Sequence, residues 1–136
     1  MAFDPYKTQV EPTRNPADGE KLSGWWELLE YDWDDVTPKI YFSASVAHPV
    51  LVAEVRHIIT TAFTGTAQID VGDSSAADYW FVHGDTGVAD NTSVTSLNAT
   101  TPRHGKLYEA NDYVSVTVTG TVSAGHGKVM AYLIRF

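Results

Sequence analysis

The chain has 136 residues and no cysteine, enough for one domain with its own core and too short for two. The missing thiols exclude a disulfide scaffold, a cysteine nucleophile and any thiolate metal centre. Seventeen acidic residues against nine basic ones give a formal charge of -8, which repels a phosphate backbone and argues against nucleic acid as a partner.

With 43% hydrophobic and 12% aromatic residues the chain can build a core, so wholesale disorder is set aside. No run approaches the roughly 18 apolar residues of a membrane span, and the first twenty residues lack the apolar stretch of a secretory signal. A soluble, unprocessed chain with no membrane partner is expected. Val, Ile and Thr account for 35 of the 136 residues, and these side chains suit a pleated, half-buried surface better than a helix. The expected class is all-β.

Residues 1–24 carry Pro5, Pro12, Pro16, Gly19 and Gly24 and show no sustained periodicity, which reads as an extended N-terminal arm. The remainder, 25–136, is expected to be the folded domain. Its first segment, GWWELLEYDWDD, fits a short helical turn and a doubly covered strand equally well. Trp25, Trp26 and Trp33 fall within nine residues, and such rings mean core or interface packing, or a platform on which sugars stack.

After Pro38 the pattern turns to strands. KIYFSASV is one, and residues 50–63 form a long one in which Leu51, Ala53, Val55, His57 and Ile59 are expected to share a face. TAQIDV places Ala67, Ile69 and Val71 on one side and runs into the turn-rich GDSSAAD, after which Tyr79-Trp80-Phe81-Val82 is expected to resume β structure. Residues 83–106 read as long loops with one short strand. From Tyr113 onward, Val114, Val116, Val118 and Val122 alternate with Ser115, Thr117, Thr119 and Thr121, the mark of one buried and one wet face. The last eight residues are apolar on both faces, which suits a central strand or a subunit contact. Six to eight strands separated by turn clusters predict an antiparallel β-sandwich or jelly roll.

Catalytic signatures are sparse. The G-x-S-x-G elbow, the P-loop and the dinucleotide fingerprint are missing. His48, His57, His83, His104 and His126 show no spacing that would place two of them on one metal, and His57 reads as a hydrogen-bonded core histidine. Asp70, Asp73 and Asp78 lack the calcium-loop spacing and read as turn-capping side chains. Asp85-Thr86-Gly87 shares three letters with aspartic proteases and reads as a β-turn, while Asn91-Thr92-Ser93 and Asn98-Ala99-Thr100 match the glycosylation acceptor pattern without any sign of secretion. No catalytic residue, metal or cofactor is expected. A small hydrolase using Asp73, His83 or Asp85 is the enzymatic alternative.

The stretch ITTAFTGTAQIDVGDSSAADYWF, residues 59–81, resembles a segment recurrent in virion proteins of tailed double-stranded DNA bacteriophages: strand, Ala-Phe-x-Gly-Thr, alternating strand, then Val-Gly-Asp. Gly105-Lys106-Leu107-Tyr108, Asn111-Asp112-Tyr113-Val114 and Ala124-Gly125-His126-Gly127-Lys128-Val129 extend the resemblance, so that it spans residues 50–136. These motifs are turn-and-strand grammar, and the first 49 residues carry no part of them. The resemblance implies a structural β-sandwich or jelly roll of the capsid decoration (cement) type, which bridges major capsid protein subunits on the outside of a phage head made in the bacterial cytoplasm.

A compact size, an acidic surface suited to facing away from packaged DNA and a Pro-rich arm agree with that placement. Attachment as a homotrimer would combine modest contacts through high effective concentration. The contact residues expected are Phe3, Tyr6 and Val10 in the arm and Trp25, Trp26 and Trp33 in the domain. The alternative within the same class is a tail or head-fibre module that binds host-surface glycans through Trp25, Trp26, Trp33 or Trp80.

Overall fold

A computed structural model describes residues 23–136 apart from 87, 90, 91 and 100. Its elements in chain order are β1 (Ser23–Asp32), β2 (Lys39–Phe42), β3 (Val50–Thr61), β4 (Gln68–Gly72), α1 (His83–Thr86), β5 (Ser93–Thr95), β6 (Lys106–Tyr108), β7 (Asp112–Thr119) and β8 (His126–Arg135). All strand pairings are antiparallel. One sheet runs β1-β8-β3, with β6 on Val50–Val52 and β5 on Arg56–Ile58 along the far edge of β3; the other runs β2-β7-β4. Both contribute to one core, so the architecture is an antiparallel β-sandwich.

The ambiguous Trp-rich segment is a strand. Tertiary contact settles what periodicity left open, because β1 pairs with β8 without a break from Ser23↔Arg135 to Asp32↔His126. Along β1 Trp25, Glu27, Leu29 and Tyr31 face inward, while Gly24, Trp26, Leu28, Glu30 and Asp32 face out. Strand β8, apolar on both faces, is central in its sheet between β1 and β3, one of the two placements its sequence allows.

The expected face of β3 is corrected. Val50 and Val52 are buried and Leu51 is not, yet further on Val55, His57 and Ile59 are buried. The register with β8 passes from Val52↔Leu133 to Glu54↔Tyr132, leaving Ala53 as an extra residue. Such a bulge inverts the parity of everything on one side of it, so no single alternation describes the strand.

Residues 79–82 do not resume a strand. Val71 and Phe81 form an isolated bridge, and the Trp80 and Phe81 amides both donate to the Val71 carbonyl. The segment folds Trp80 and Phe81 into the core as plugs at the edge of β4. In the loop region, the Asp-Thr of the Asp-Thr-Gly triplet sits in the helical turn α1, not in a β-turn. There Thr86 Oγ1 donates to the carbonyls of Ile69 and His83. In β7, Val114 and Val116 are buried as expected, and Ser115 is buried too, because β2 and β4 cover both of its edges. Gly120, with φ of 93°, turns the chain out of the ladder before Val122.

Candidate functional site

The outer face of the β1-β8-β3 sheet carries an exposed apolar strip. The register builds it in rows. Gly24, Ile134, Leu51 and Leu107 form one, Trp26, Tyr132 and Glu54 the next, and Leu28, Met130 and Arg56 a third. Trp26 is 46% exposed, Leu28 54% and Leu107 51%. The Trp26 ring lies 5.1 Å from that of Tyr132, and the Arg56 guanidinium sits 5.8 Å over it while bonding Glu54 at 2.7 Å. An exposed apolar strip with one fixed cation resembles the centre of a protein interface more than an ordinary surface.

The same face turns acidic towards the end of β1. His126 Nδ1 meets Asp32 at 2.7 Å and Nε2 meets Glu30 at 3.3 Å; Asp32 mainly, with Glu30, raises the histidine above its ordinary value despite some loss of hydration. Asp32, Asp34 and Asp35 bring carboxylate oxygens within 4.8 Å of one another, all exposed. Asp35 is already used to cap the Asp32 amide at 2.8 Å.

A groove of about 500 Å³ opens between the edges of β1 and β2, lined by Trp25, Glu27, Tyr41, Asp112, Tyr113 and Arg135 among others. Several of its polar groups already have protein partners. Trp25 Nε1 donates to Glu27 at 2.7 Å, Arg135 to the Ser43 carbonyl at 3.1 Å, and Asp112 accepts from Ser74 and from the Tyr113 amide. Its walls are aromatic, with Tyr41 74% exposed and edge-on to Tyr113.

Two ionisable clusters lie inside. Asp73 Oδ1 accepts from the Ser75 and Ala76 amides and the Ser75 hydroxyl, while Oδ2 accepts from Lys106 Nζ at 2.7 Å and Tyr108 Oη at 2.6 Å. Loss of hydration pushes this carboxyl up, but the donors, Lys106 and Tyr108 first, outweigh it and hold it well below the usual carboxylate range. Burial, and then Asp73 as neighbour, pushes the Tyr108 phenol far up. Lys106 also lies over the rings of Tyr79 and Tyr108. The second cluster is Tyr31 with His57, deep in the sandwich. Burial lowers His57 to about 4 and raises the Tyr31 phenol.

These clusters fix loops and core; every Asp73 oxygen is consumed by structural donors, and His57 is sealed from any substrate. His57 is the core histidine its position predicts. His48 and His104 are exposed, and His83 lies 3.4 Å from Asp70. Asp73 caps its own turn as expected, whereas the three aspartates of residues 70–78 do not converge. Trp80, an expected glycan contact, is 1% exposed and unavailable for stacking. Trp25 faces the groove, Trp26 the outer sheet face, and Trp33 the turn after β1, where its amide donates to Gly125. The three tryptophans thus form no common platform. Phe3, Tyr6 and Val10 lie outside the described residues.

Sequence reasoning missed Leu28 and Leu107, which join Trp26 only through strand order. It also missed the tie of Asp73 to Lys106 and Tyr108, 33 and 35 positions away.

The fold and surfaces define a class: an antiparallel β-sandwich with a partly apolar sheet face and two polar clusters, Asp73 with Lys106 and Tyr108 and Tyr31 with His57, committed to structure. Within that class the chain has the fold of phage capsid chains. A chain of the acidic stable capsid structure of Helicobacter pylori bacteriophage KHP30 matches with a TM-score of 0.64 at 11% identity, over 84% of this chain and 91% of that one. A chain of the cyanophage Pam1 capsid asymmetric unit matches with a TM-score of 0.50 at 19% identity, over 90% and 98%. Neither a protein-family model nor a curated protein sequence matches the chain.

Proposed function

We propose that the protein is a non-enzymatic virion component that decorates the outside of a phage head and bridges subunits of the major capsid protein. One observation carries the reading: the sandwich matches a chain of the KHP30 capsid structure over 91% of that chain's length. The outer sheet face supports it, since Trp26, Leu28 and Leu107 offer aromatic and aliphatic anchors of the kind that dominate interface energy. The acidic end of that face, with Glu30, Asp32, Asp34 and Asp35, suits a basic rim on the partner. Trp33 and the arm residue Phe3 extend the proposed contact. Attachment of three copies around a local threefold would multiply such contacts by effective concentration.

The test adds purified full-length protein to phage heads that lack it and measures bound copies after sedimentation, with cryo-electron microscopy to locate them. Trp26→Ala combined with Leu28→Asp should reduce occupancy at least about tenfold, since paired anchors at one interface cost about 3 kcal/mol or more. Unchanged occupancy, or density confined to tails or fibres, overturns the reading. In the latter case the aromatic groove at Trp25 and Tyr41 becomes the surface to test against glycans.

A further inference from the structure

We propose that the groove between β1 and β2 and a pocket beside it form one site for a sugar ring bearing a single carboxylate, with the ring against Tyr41 and Trp25 and the acid at Arg135.

The pocket, of about 400 Å³, is lined by Ser43, Ala44, Ser45, His48 and Arg135. Ser43 and Arg135 also line the groove, so the two hollows meet along that pair. Both volumes fall in the range of small-molecule sites, about 300 to 1,000 Å³. In a chain with seventeen acidic residues, the pocket lining holds none; it has an arginine, a histidine and two hydroxyls. The loop between β2 and β3 builds it. The Ser45 amide donates to the His48 carbonyl at 3.1 Å and the His48 amide to Ser45 Oγ at 3.1 Å, which closes residues 45–48 into a turn. The Ala44 amide donates to Asn111 Oδ1 at 3.0 Å, and Pro49 accepts from the Phe136 amide at 3.1 Å, so the loop is held at both ends.

Arg135 selects an acid. Among the described residues Arg56, Lys106 and Lys128 face carboxylates, whereas Arg135 has a carbonyl and a ring: it donates to Ser43 at 3.1 Å and its guanidinium lies 5.8 Å over Trp25. Those contacts fix the planar fork while leaving most of its five N–H donors, and such a fork matches the two oxygens of a carboxylate. Ser45 Oγ accepts from His48 and keeps its hydrogen to donate. One fixed positive charge balances one negative charge, and a dianionic phosphate would add to the surplus of a chain at -8.

The groove supplies a surface for the ring. Tyr41 is exposed and edge-on to Tyr113, and Trp25 is held by its bond to Glu27. The polarised C–H groups of a pyranose pack on the electron-rich faces of such rings. Glu27 gives one oxygen to Trp25 and Asn111 gives its oxygen to Ala44; the second Glu27 oxygen and the Asn111 amide hydrogens, unbonded among the described residues, suit sugar hydroxyls.

This inference stands independently of the capsid reading, because neither Trp26 nor Leu28 lines the site. It is tested by titrating the full-length protein with methyl β-glucuronide, methyl β-glucoside, glucose 6-phosphate and acetate, followed by amide and indole NMR shifts. The glucuronide should bind at least ~10-fold more tightly than each of the other three, since each lacks either the carboxylate or the ring. Its shifts should map to the amides of residues 41–48 and the Trp25 indole. Arg135→Gln should reduce the glucuronide to the affinity of the glucoside, and Tyr41→Ala should weaken both sugars by about 5-fold. Lys128→Gln, which removes the same charge elsewhere, should change neither. If Arg135→Gln lowers the melting temperature, His48→Ala in the loop replaces it and should weaken the glucuronide while sparing the glucoside. Equal affinity for the two methyl glycosides, tighter binding of glucose 6-phosphate or acetate, shifts confined to the outer sheet face, or no shift with any probe overturns the site.

Discussion

Tyr31 Oη and His57 Nε2 meet at 2.5 Å in the centre of the sandwich, joining β1 to β3 across the intervening β8. The contact is possible because Gly127 lies between them in the sheet; a Cβ there would come within 2.7 Å of the Tyr31 hydroxyl. Burial keeps the phenol protonated and the imidazole neutral, so we assign the shared proton to Tyr31 as donor. Among the described residues His57 Nδ1 has no hydrogen-bond partner. The pair is a buried polar joint that tolerates no charge.

Acid should therefore weaken the fold in two stages. His57 falls from its ordinary 6.5 to about 4 on folding, so between those values the unfolded chain binds a proton that the folded chain refuses. Stability declines as pH drops through that window, by about 3 kcal/mol in total from this group. His126 acts in the opposite sense: its raised value gives stability that is present at low pH and lost as pH rises through its folded value. Urea titrations at pH 7, 5 and 4 should show the decline, and His57→Gln should flatten it. An unchanged slope in that variant would contradict the buried neutral imidazole.

Asp73 governs a lower range. Its folded value lies well below the unfolded 3.8, so its contribution is intact above about pH 4 and disappears only in stronger acid. At neutral pH, Asp73→Asn should cost about 3 kcal/mol, because Lys106 loses its partner and the 73–76 turn loses a charged acceptor. Tyr108→Phe should cost less, about 1 to 2 kcal/mol, for one hydrogen bond to that carboxylate. Thermal unfolding of the two variants orders them.

The bulge at Ala53 makes neighbouring residues differ sharply. Val52→Ala should destabilise by about 2 kcal/mol and Leu51→Ala by less than about 1, since Val52 is fully buried and Leu51 lies on the outer face. Unbroken alternation through Val55 would reverse that order, which denaturant midpoints resolve.

Trp80 and Trp26 should part in the same way. Trp80→Ala empties a fully buried site and should cost about 3 to 5 kcal/mol, whereas Trp26→Ala, half exposed, should change stability by no more than about 1. Circular dichroism melts of both, beside the capsid-binding measurement, separate folding from attachment.

The amino-acid sequence by itself determined the all-β class, the alternation of β4 and β7, the two apolar faces of β8 and the core role of His57, because two-residue periodicity and turn chemistry are local properties. It also carried the resemblance of residues 59–81 to phage virion proteins, which the capsid folds match. Tertiary structure alone decided that GWWELLEY is a strand, that Ala53 shifts the phase of β3, and that Trp80 and Phe81 are plugs. It decided, too, which of Trp25 and Trp26 looks outward and which residues join them. Strand phase, neighbour and partner depend on pairings between positions tens of residues apart, and such pairings leave no mark on the local pattern of either segment.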